Sequence, residues 1–280
     1  MSSGDQARGL TNLSGPLVLV GAGKMGGAML QGWLGLGFEP AKAVVFEPQP
    51  SAEIAALAAR GVRLNPPADS VRNTAAVVIA VKPQVAAEVI PAYAGLAGPG
   101  TVVVSIMAGQ TLRTLERLLS PGAAIVRSMP NTPAAIGRGI TVAVANAQVS
   151  SAQRDLSHRL LAAVGTVEWV QDEALMDAVT AVSGSGPAYV FLLAEALAQA
   201  GVAAGLPPEL AARLARETVV GSGELLQRSD LDPAVLRQNV TSPGGTTAAA
   251  LEVLMSPPGL AALMEAAVAV ATRRSRELAG

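Results

Sequence analysis

Gly21-Ala22-Gly23-Lys24-Met25-Gly26 follows the apolar run Leu17–Val20 directly and opens a segment of helical composition that reaches about Leu34. In such a strand-turn-helix the first glycine allows the tight turn, the second lets a ligand reach the backbone, and the third lets helix and strand pack closely. The free N–H groups and partial positive charge at the helix start favour a pyrophosphate. The hexapeptide Gly21–Gly26 therefore predicts a dinucleotide site. Glu47, 26 positions after Gly21, ends the second apolar run. A carboxylate there accepts a hydrogen bond from a ribose 2′-hydroxyl and repels a 2′-phosphate, which locally favours NADH over NADPH. Pro48 and Pro50 can redirect the loop, and Lys24 and Arg60 can serve a phosphate, so both coenzymes stay open, as does a purely solvated role for Glu47. Val81-Lys82-Pro83 and Ile106–Ala108 follow the fourth and fifth runs. Ligands of open parallel sheets sit beyond the carboxyl ends of strands, so both segments are expected to border the cofactor, with a solvated loop lysine as the alternative for Lys82.

Two later loops are rich in small hydrogen-bonding residues: Ser183-Gly184-Ser185-Gly186-Pro187 and Ser242-Pro243-Gly244-Gly245-Thr246-Thr247. Each leads into a helical segment, and Pro187 suits a first helical position. Convergent N–H groups at a glycine turn before a helix suit a carboxylate; an ordinary capped interhelical turn is the alternative.

Absent residue types narrow the chemistry. The 280 residues include no cysteine and one histidine, His158, which excludes a thiolate metal site, a disulfide framework, a cysteine nucleophile and multi-histidine metal centres. No metal is expected. A Ser-His-Asp triad could only be built around His158, which sits between Ser157 and Arg159 and reads as a surface residue. The 20 basic and 21 acidic residues nearly cancel, and three Phe, two Trp and two Tyr are too few for a base-stacking platform. A nucleic-acid partner is not expected. Mean hydropathy is high, at +0.42. The most span-like stretch, Pro187–Leu206, carries Glu195 and Gln199 and reads as a buried helix with no membrane partner. Residues 1–14 lack the apolar core of a secretory signal and read as a flexible tail, and the expected location is cytoplasmic.

These residues need a scaffold. From Pro16 to about Val170 short β-branched runs alternate with helical segments such as Ser51–Arg60, Gln84–Tyr93, Thr111–Leu119 and Ala152–Val164. The runs are Leu17–Val20, Ala43–Phe46, Val62–Leu64, Val77–Val81, Val102–Ser105, Ala124–Arg127, Thr141–Val144 and Val167–Val170. Consecutive Val and Ile fit strands buried on both faces, so the fold class is α/β: an N-terminal Rossmann-type doubly wound parallel sheet over residues 15–171. Residues 172–280 hold only helical stretches separated by Ser, Gly and Pro, an all-α C-terminal domain. Its helices Ala188–Ala200 and Leu260–Ala271 leave little room for a solvated side, which predicts dimerisation.

Five ordered motifs resemble the pyrroline-5-carboxylate reductase family: Gly21–Gly26, Ala80-Val81-Lys82-Pro83, Met129-Pro130-Asn131-Thr132-Pro133, Asp177–Thr180 leading into Ser183–Tyr189, and Asn239–Thr247. The resemblance spans about Pro16 to Leu278. It implies reduction of the cyclic imine 1-pyrroline-5-carboxylate to L-proline by NADPH or NADH, the last step of proline biosynthesis. It also implies a homodimer built through the helical domain, with decamers of five dimers common in the family. At matching positions it implies that Val20, Gly21, Ala22, Gly23, Lys24 and Met25 line the dinucleotide, together with Ala80, Val81, Lys82, Pro83, Ile106, Met107 and Ala108. Pro48 would lie near the adenosine ribose, and Asn239 would reach the cofactor. Glu173, Ser242, Gly244, Gly245, Thr246 and Thr247 would border the substrate. Family members that use NADPH often carry small hydroxyl residues after the second strand, where this chain has Glu47-Pro48.

A protonated imine is already electrophilic, so a protein needs mainly to orient the partners and bind the carboxylate. Thr247 is the expected catalytic group, hydrogen bonded to the substrate nitrogen, with N–H groups of Gly245, Thr246 and Thr247 on the carboxylate. Two rival readings are another imine or hydroxyacid dehydrogenase of similar two-domain architecture, and a non-catalytic dinucleotide-binding protein.

Overall fold

The computed structural model describes Leu10 and residues 13–279; most of the tail expected over residues 1–14 lies outside the described residues. Eight strands form one sheet: β1 (Leu17–Val20), β2 (Ala43–Phe46), β3 (Arg63–Leu64), β4 (Ala76–Ile79), β5 (Val102–Ser105), β6 (Ala124–Pro130), β7 (Gly139–Ala145) and β8 (Gly165–Trp169). Their order is β3-β2-β1-β4-β5-β6-β7-β8. Five helices follow strands of this sheet: α1 (Lys24–Gly35), α2 (Ala52–Ala56), α3 (Ala86–Tyr93), α4 (Leu112–Leu118) and α5 (Ser151–Ala162).

Alternate strand residues point to opposite faces, and both faces are covered. Leu19, Val45, Val78 and Val104 share one core with Trp33 of α1 and Leu160 of α5. Val18, Val44, Val77 and Val103 share the other with Ile90 of α3 and Leu115 of α4. This double covering is why the strands read as unbroken apolar runs. The indole N–H of Trp33 donates to Leu160 O at 2.8 Å, so the first helix is bonded as well as packed to α5.

Strands β1 to β6 are parallel, but the expectation of a wholly parallel sheet fails at β7, which pairs antiparallel with β6 and parallel with β8. The connection between β6 and β7 is a single 3-10 turn, Thr132–Ile136. A parallel crossover needs about a dozen residues, so the chain can only turn back.

The structure divides into two compact units, one running through Gly184 and resuming at Thr272, the other Ser185–Ala271. The first unit closes with a 3-10 turn Glu173–Leu175, the short helix α6 (Met176–Val179) and a π turn Thr180–Gly184. The second is helical: α7 (Gly186–Ala203), α8 (Pro208–Arg228), α9 (Pro233–Asn239), α10 (Thr246–Met255) and most of α11 (Gly259–Ala279). Within it α7 and α8 pack on each other. The burial expected for Pro187–Leu206 is not supplied by its own chain: Phe191 is 67% exposed, and Leu192, Val220, Val253 and Leu263 are also exposed. Helices apolar on several sides have no interior to share within one copy of this unit, where only Ala211 and Ala215 are buried among the described residues. By length and composition alone, Glu173–Ala203 is apolar enough to cross a membrane.

Candidate active site

Strand register lines up the carboxyl ends. Val20 pairs with Phe46 on one side and Ile79 on the other, and Ile79 pairs with Ser105. Gly21, Glu47, Ala80 and Ile106 therefore follow in a row. The row is held by Gly21 N–H to Phe46 O at 2.8 Å, Ala80 N–H to Val20 O at 2.7 Å and Ile106 N–H to Ile79 O at 3.0 Å. The sheet order reverses direction at β1 and β4, the switch point at which open α/β sheets form their ligand crevice.

The three glycines of the turn differ in what constrains them. Gly21 has φ +91°, and a Cβ there would lie 2.8 Å from the carbonyl of Ala80. A Cβ on Gly26 would lie 2.2 Å from Gly21 O. At Gly23 no protein atom lies within 4 Å of an added Cβ. The first and third glycines thus serve the protein's own packing, while the second leaves open space. Gly23 is the N-cap of α1 and makes no side-chain cap bond, so the helix start faces that space with its N–H groups free for a pyrophosphate.

The other residues expected on the cofactor side fall around the row in different ways. Glu47 Oε2 accepts the Ala22 N–H at 2.9 Å. Lys24, Pro48, Lys82 and Ala108 are exposed, and Met25, Ala80, Val81 and Pro83 are half-buried. Val20, Ile106 and Met107 have buried side chains, which leaves their main chain as the part able to meet a ligand.

Glu173 lies in the same unit, and its Oε1 accepts both Arg127 Nη1 at 2.7 Å and Leu112 N–H at 2.8 Å. Arg127 is 4% exposed and pairs in register with Ser105, the strand residue before Ile106. Sequence reading shows it only as the end of an apolar run; the signal was a lone cation closing such a run. Ser183, which opens the first of the two loops rich in small hydrogen-bonding residues, has its Oγ buried without a hydrogen-bond partner among the described residues. The lone histidine is structural: His158 Nδ1 accepts the Trp169 indole N–H at 3.3 Å, and the Arg154 guanidinium stacks 4.2 Å from the same ring. No cluster of three or more metal-ligating side chains occurs among the described residues.

The remaining expected residues lie in the helical unit. Asn239 ends α9 and is exposed. Gly245 N–H donates to Ser242 O at 3.0 Å, closing a turn with Pro243 and Gly244 at its centre. Gly244 has φ +69°, which a type II turn demands of its third residue. Gly245 is the N-cap of α10 and makes no side-chain cap bond. Thr246 and Thr247 form the first turn, so their N–H groups and the Thr247 hydroxyl gather at one helix start.

A glycine turn at the switch point of a doubly wound sheet, beside an uncapped helix start, defines a dinucleotide-binding α/β protein. Residues 173–278 match a family model described as pyrroline-5-carboxylate reductase dimerisation, and residues 16–109 one described as NADP oxidoreductase coenzyme F420-dependent. The chain is 42% identical over 265 residues to a pyrroline-5-carboxylate reductase of Pseudomonas aeruginosa, covering 94% of this chain and 96% of that one. The structure of a pyrroline-5-carboxylate reductase from Coxiella burnetii is 33% identical, with a TM-score of 0.89 over 96% of this chain and 100% of that one. That of Plasmodium falciparum pyrroline carboxylate reductase, with NADP bound, is 28% identical, with a TM-score of 0.80 over 96% and 99%. The chain belongs to the pyrroline-5-carboxylate reductase family, and it is an oxidoreductase.

Proposed function

We propose that this protein reduces 1-pyrroline-5-carboxylate to L-proline with NADPH or NADH, in the last step of proline biosynthesis. The observation that carries this reading is the presence, in one chain of this family, of both the Gly21–Gly26 cradle and the uncapped Ser242–Thr247 turn. When bound, the reduced dinucleotide would supply a hydride to the carbon of the protonated imine, which leaves the ring nitrogen a neutral secondary amine that takes a further proton from water. The chain's own residues bind and orient. Gly21, Gly23 and Gly26 with the start of α1 hold the pyrophosphate. The main chain of Val20, Ala22, Ile106 and Met107, with Lys24, Met25, Ala80, Val81, Lys82, Pro83 and Ala108, lines the dinucleotide; Pro48 lies by the adenosine ribose, and Asn239 reaches the cofactor.

N–H groups of Gly245, Thr246 and Thr247 hold the substrate carboxylate, Glu173, Ser242 and Gly244 border it, and the Thr247 hydroxyl bonds the ring nitrogen. Residues 15–171 serve as the dinucleotide domain, and 172–280 as the dimerisation and substrate domain. Exposed apolar side chains such as Phe191 and Leu263 support a homodimer interface in place of a membrane partner, and the family resemblance extends this to an assembly of five dimers. The near-balance of charge supports an enzyme without a nucleic-acid partner, and a sequence free of cysteine fits the reducing cytoplasm.

The test is coenzyme oxidation on adding 1-pyrroline-5-carboxylate, with a 2-keto acid and a 3-hydroxy acid as controls. Oxidation with a control acid alone, or with none, would overturn the reading. Thr247→Ala is expected to lower turnover about 10- to 100-fold, the worth of one hydrogen bond in the transition state, with coenzyme affinity within about twofold. Unchanged turnover would remove Thr247 from the chemistry.

A further inference from the structure

We infer that Glu47 makes this chain selective for NADH over NADPH; the inference rests on the reading of the glycine turn as the coenzyme site and adds the choice between coenzymes. Glu47 is the first residue beyond β2, level with Gly21. Its carboxylate is pinned, not loose. Oε2 accepts the Ala22 N–H at 2.9 Å, and Oε1 accepts the Gln49 N–H at 3.1 Å. Asn65 holds the Glu47 main chain from the end of β3, accepting its N–H at 2.9 Å and donating Nδ2 to its carbonyl at 2.8 Å. Asn65 does so at φ +49°, a conformation uncommon outside glycine. The carboxylate is therefore fixed against the first turn residues of the dinucleotide cradle.

Each carboxylate oxygen retains a lone pair beyond these bonds, enough to accept from ribose hydroxyls. A 2′-phosphate brings like charge to the same place, and Glu47 can swing away only by releasing Ala22 and Gln49. The neighbourhood in sequence offers no compensation: residues 43–59 contain no Lys or Arg, and Glu53 adds a second acid. Lys42 is drawn to Glu39 at 3.5 Å. Lys24 and Arg60 are exposed, where salt screens them most. The Gln49 N–H, a donor a phosphate would want, is already taken.

The experiment is a paired titration of the wild-type protein and Glu47→Gln with NADH and NADPH, read as binding by nicotinamide fluorescence and as kcat/KM with 1-pyrroline-5-carboxylate. The wild type is expected to bind NADH at least about tenfold more tightly, and Glu47→Gln to narrow that ratio at least about fivefold by binding NADPH better, because like charges placed together are strongly unfavourable. Equal or tighter binding of NADPH by the wild type, or an unchanged ratio in the variant, overturns the inference. Should Glu47→Gln fail to fold, competition on the wild type decides: ADP-ribose is expected to displace NADH better than 2′-phospho-ADP-ribose, and the reverse order overturns the inference. NADH selectivity without imine reduction would leave the inference standing and overturn the proposed reaction. Binding of neither coenzyme overturns both.

Discussion

Gly23→Ala is expected to fold like the wild type and lose its coenzyme, whereas Gly26→Ala is expected to lose much of its stability whether or not coenzyme is present. The contrast follows from where each added methyl would go. At Gly23 it meets no protein atom within 4 Å, and this glycine's φ of −65° is open to any residue. Alanine is a poorer N-cap than glycine, so the cost to the fold is about 1 kcal/mol. The methyl occupies the space from which a pyrophosphate approaches the start of α1, and an affinity loss of at least about tenfold is expected. At Gly26 the methyl lies 2.2 Å from Gly21 O and 3.0 Å from the Ala80 side chain. Neither the turn nor β4 can yield independently, because Gly21 and Ala80 are both bonded into the row of strand ends. Overpacking of this kind costs about 3 kcal/mol. Urea unfolding and fluorescence titration of NADH or NADPH measure the two effects separately. A Gly23→Ala protein that unfolds early, or a Gly26→Ala protein of ordinary stability, would show that the roles of the glycines have been misassigned.

The parts of the fold legible in the sequence are those whose signal is local. Leu17–Val20, Ala43–Phe46 and Val102–Ser105 have the same bounds as runs and as strands, since every residue in them is buried between the two covered faces. Val77–Val81 is less faithful: the strand is Ala76–Ile79, and Ala80 keeps only its N–H bond to Val20 O before the turn that starts at Pro83. The direction of β7 was not legible, for apolar runs look alike whichever way they point, and the short Thr132–Ile136 connection decides it. The exposure of Val190–Leu193 within one chain was legible in part. Read alone, Pro187–Leu206 looks like a buried helix, but the all-round apolar composition of Ala188–Ala200 points to cover from a second subunit. The row Gly21, Glu47, Ala80 and Ile106 could be read from the ends of the apolar runs, yet Arg127 and Glu173 are 46 positions apart and only the folded sheet joins them.

That pair carries the second large effect. Glu173→Ala is expected to destabilise the protein by about 3–5 kcal/mol, because it leaves a buried guanidinium without its counter-charge. The side chain of Arg127 is 5% exposed and that of Glu173 29% exposed. The asymmetry makes the two single variants unequal. Arg127→Met leaves a carboxylate that water can still reach and that still accepts the Leu112 N–H; its cost should be nearer the 1–3 kcal/mol of a lost charged hydrogen bond. The double variant should then be less destabilised than the sum of the two, since removing both charges leaves no orphan. A cycle of urea denaturation curves reads all three values, and Arg127→Met proving costlier than Glu173→Ala would overturn the account. The pair also has a consequence for activity. Leu112 begins α4, four residues beyond Ala108, which is proposed to border the dinucleotide, and Glu173 begins the segment ending in the Ser183–Pro187 loop. One carboxylate oxygen thus ties the loop after β5 to the first turn after β8. Without that tie, Glu173→Ala is expected to raise KM for 1-pyrroline-5-carboxylate more than Kd for the coenzyme, whose proposed pyrophosphate cradle lies two strands away from β5, at β1.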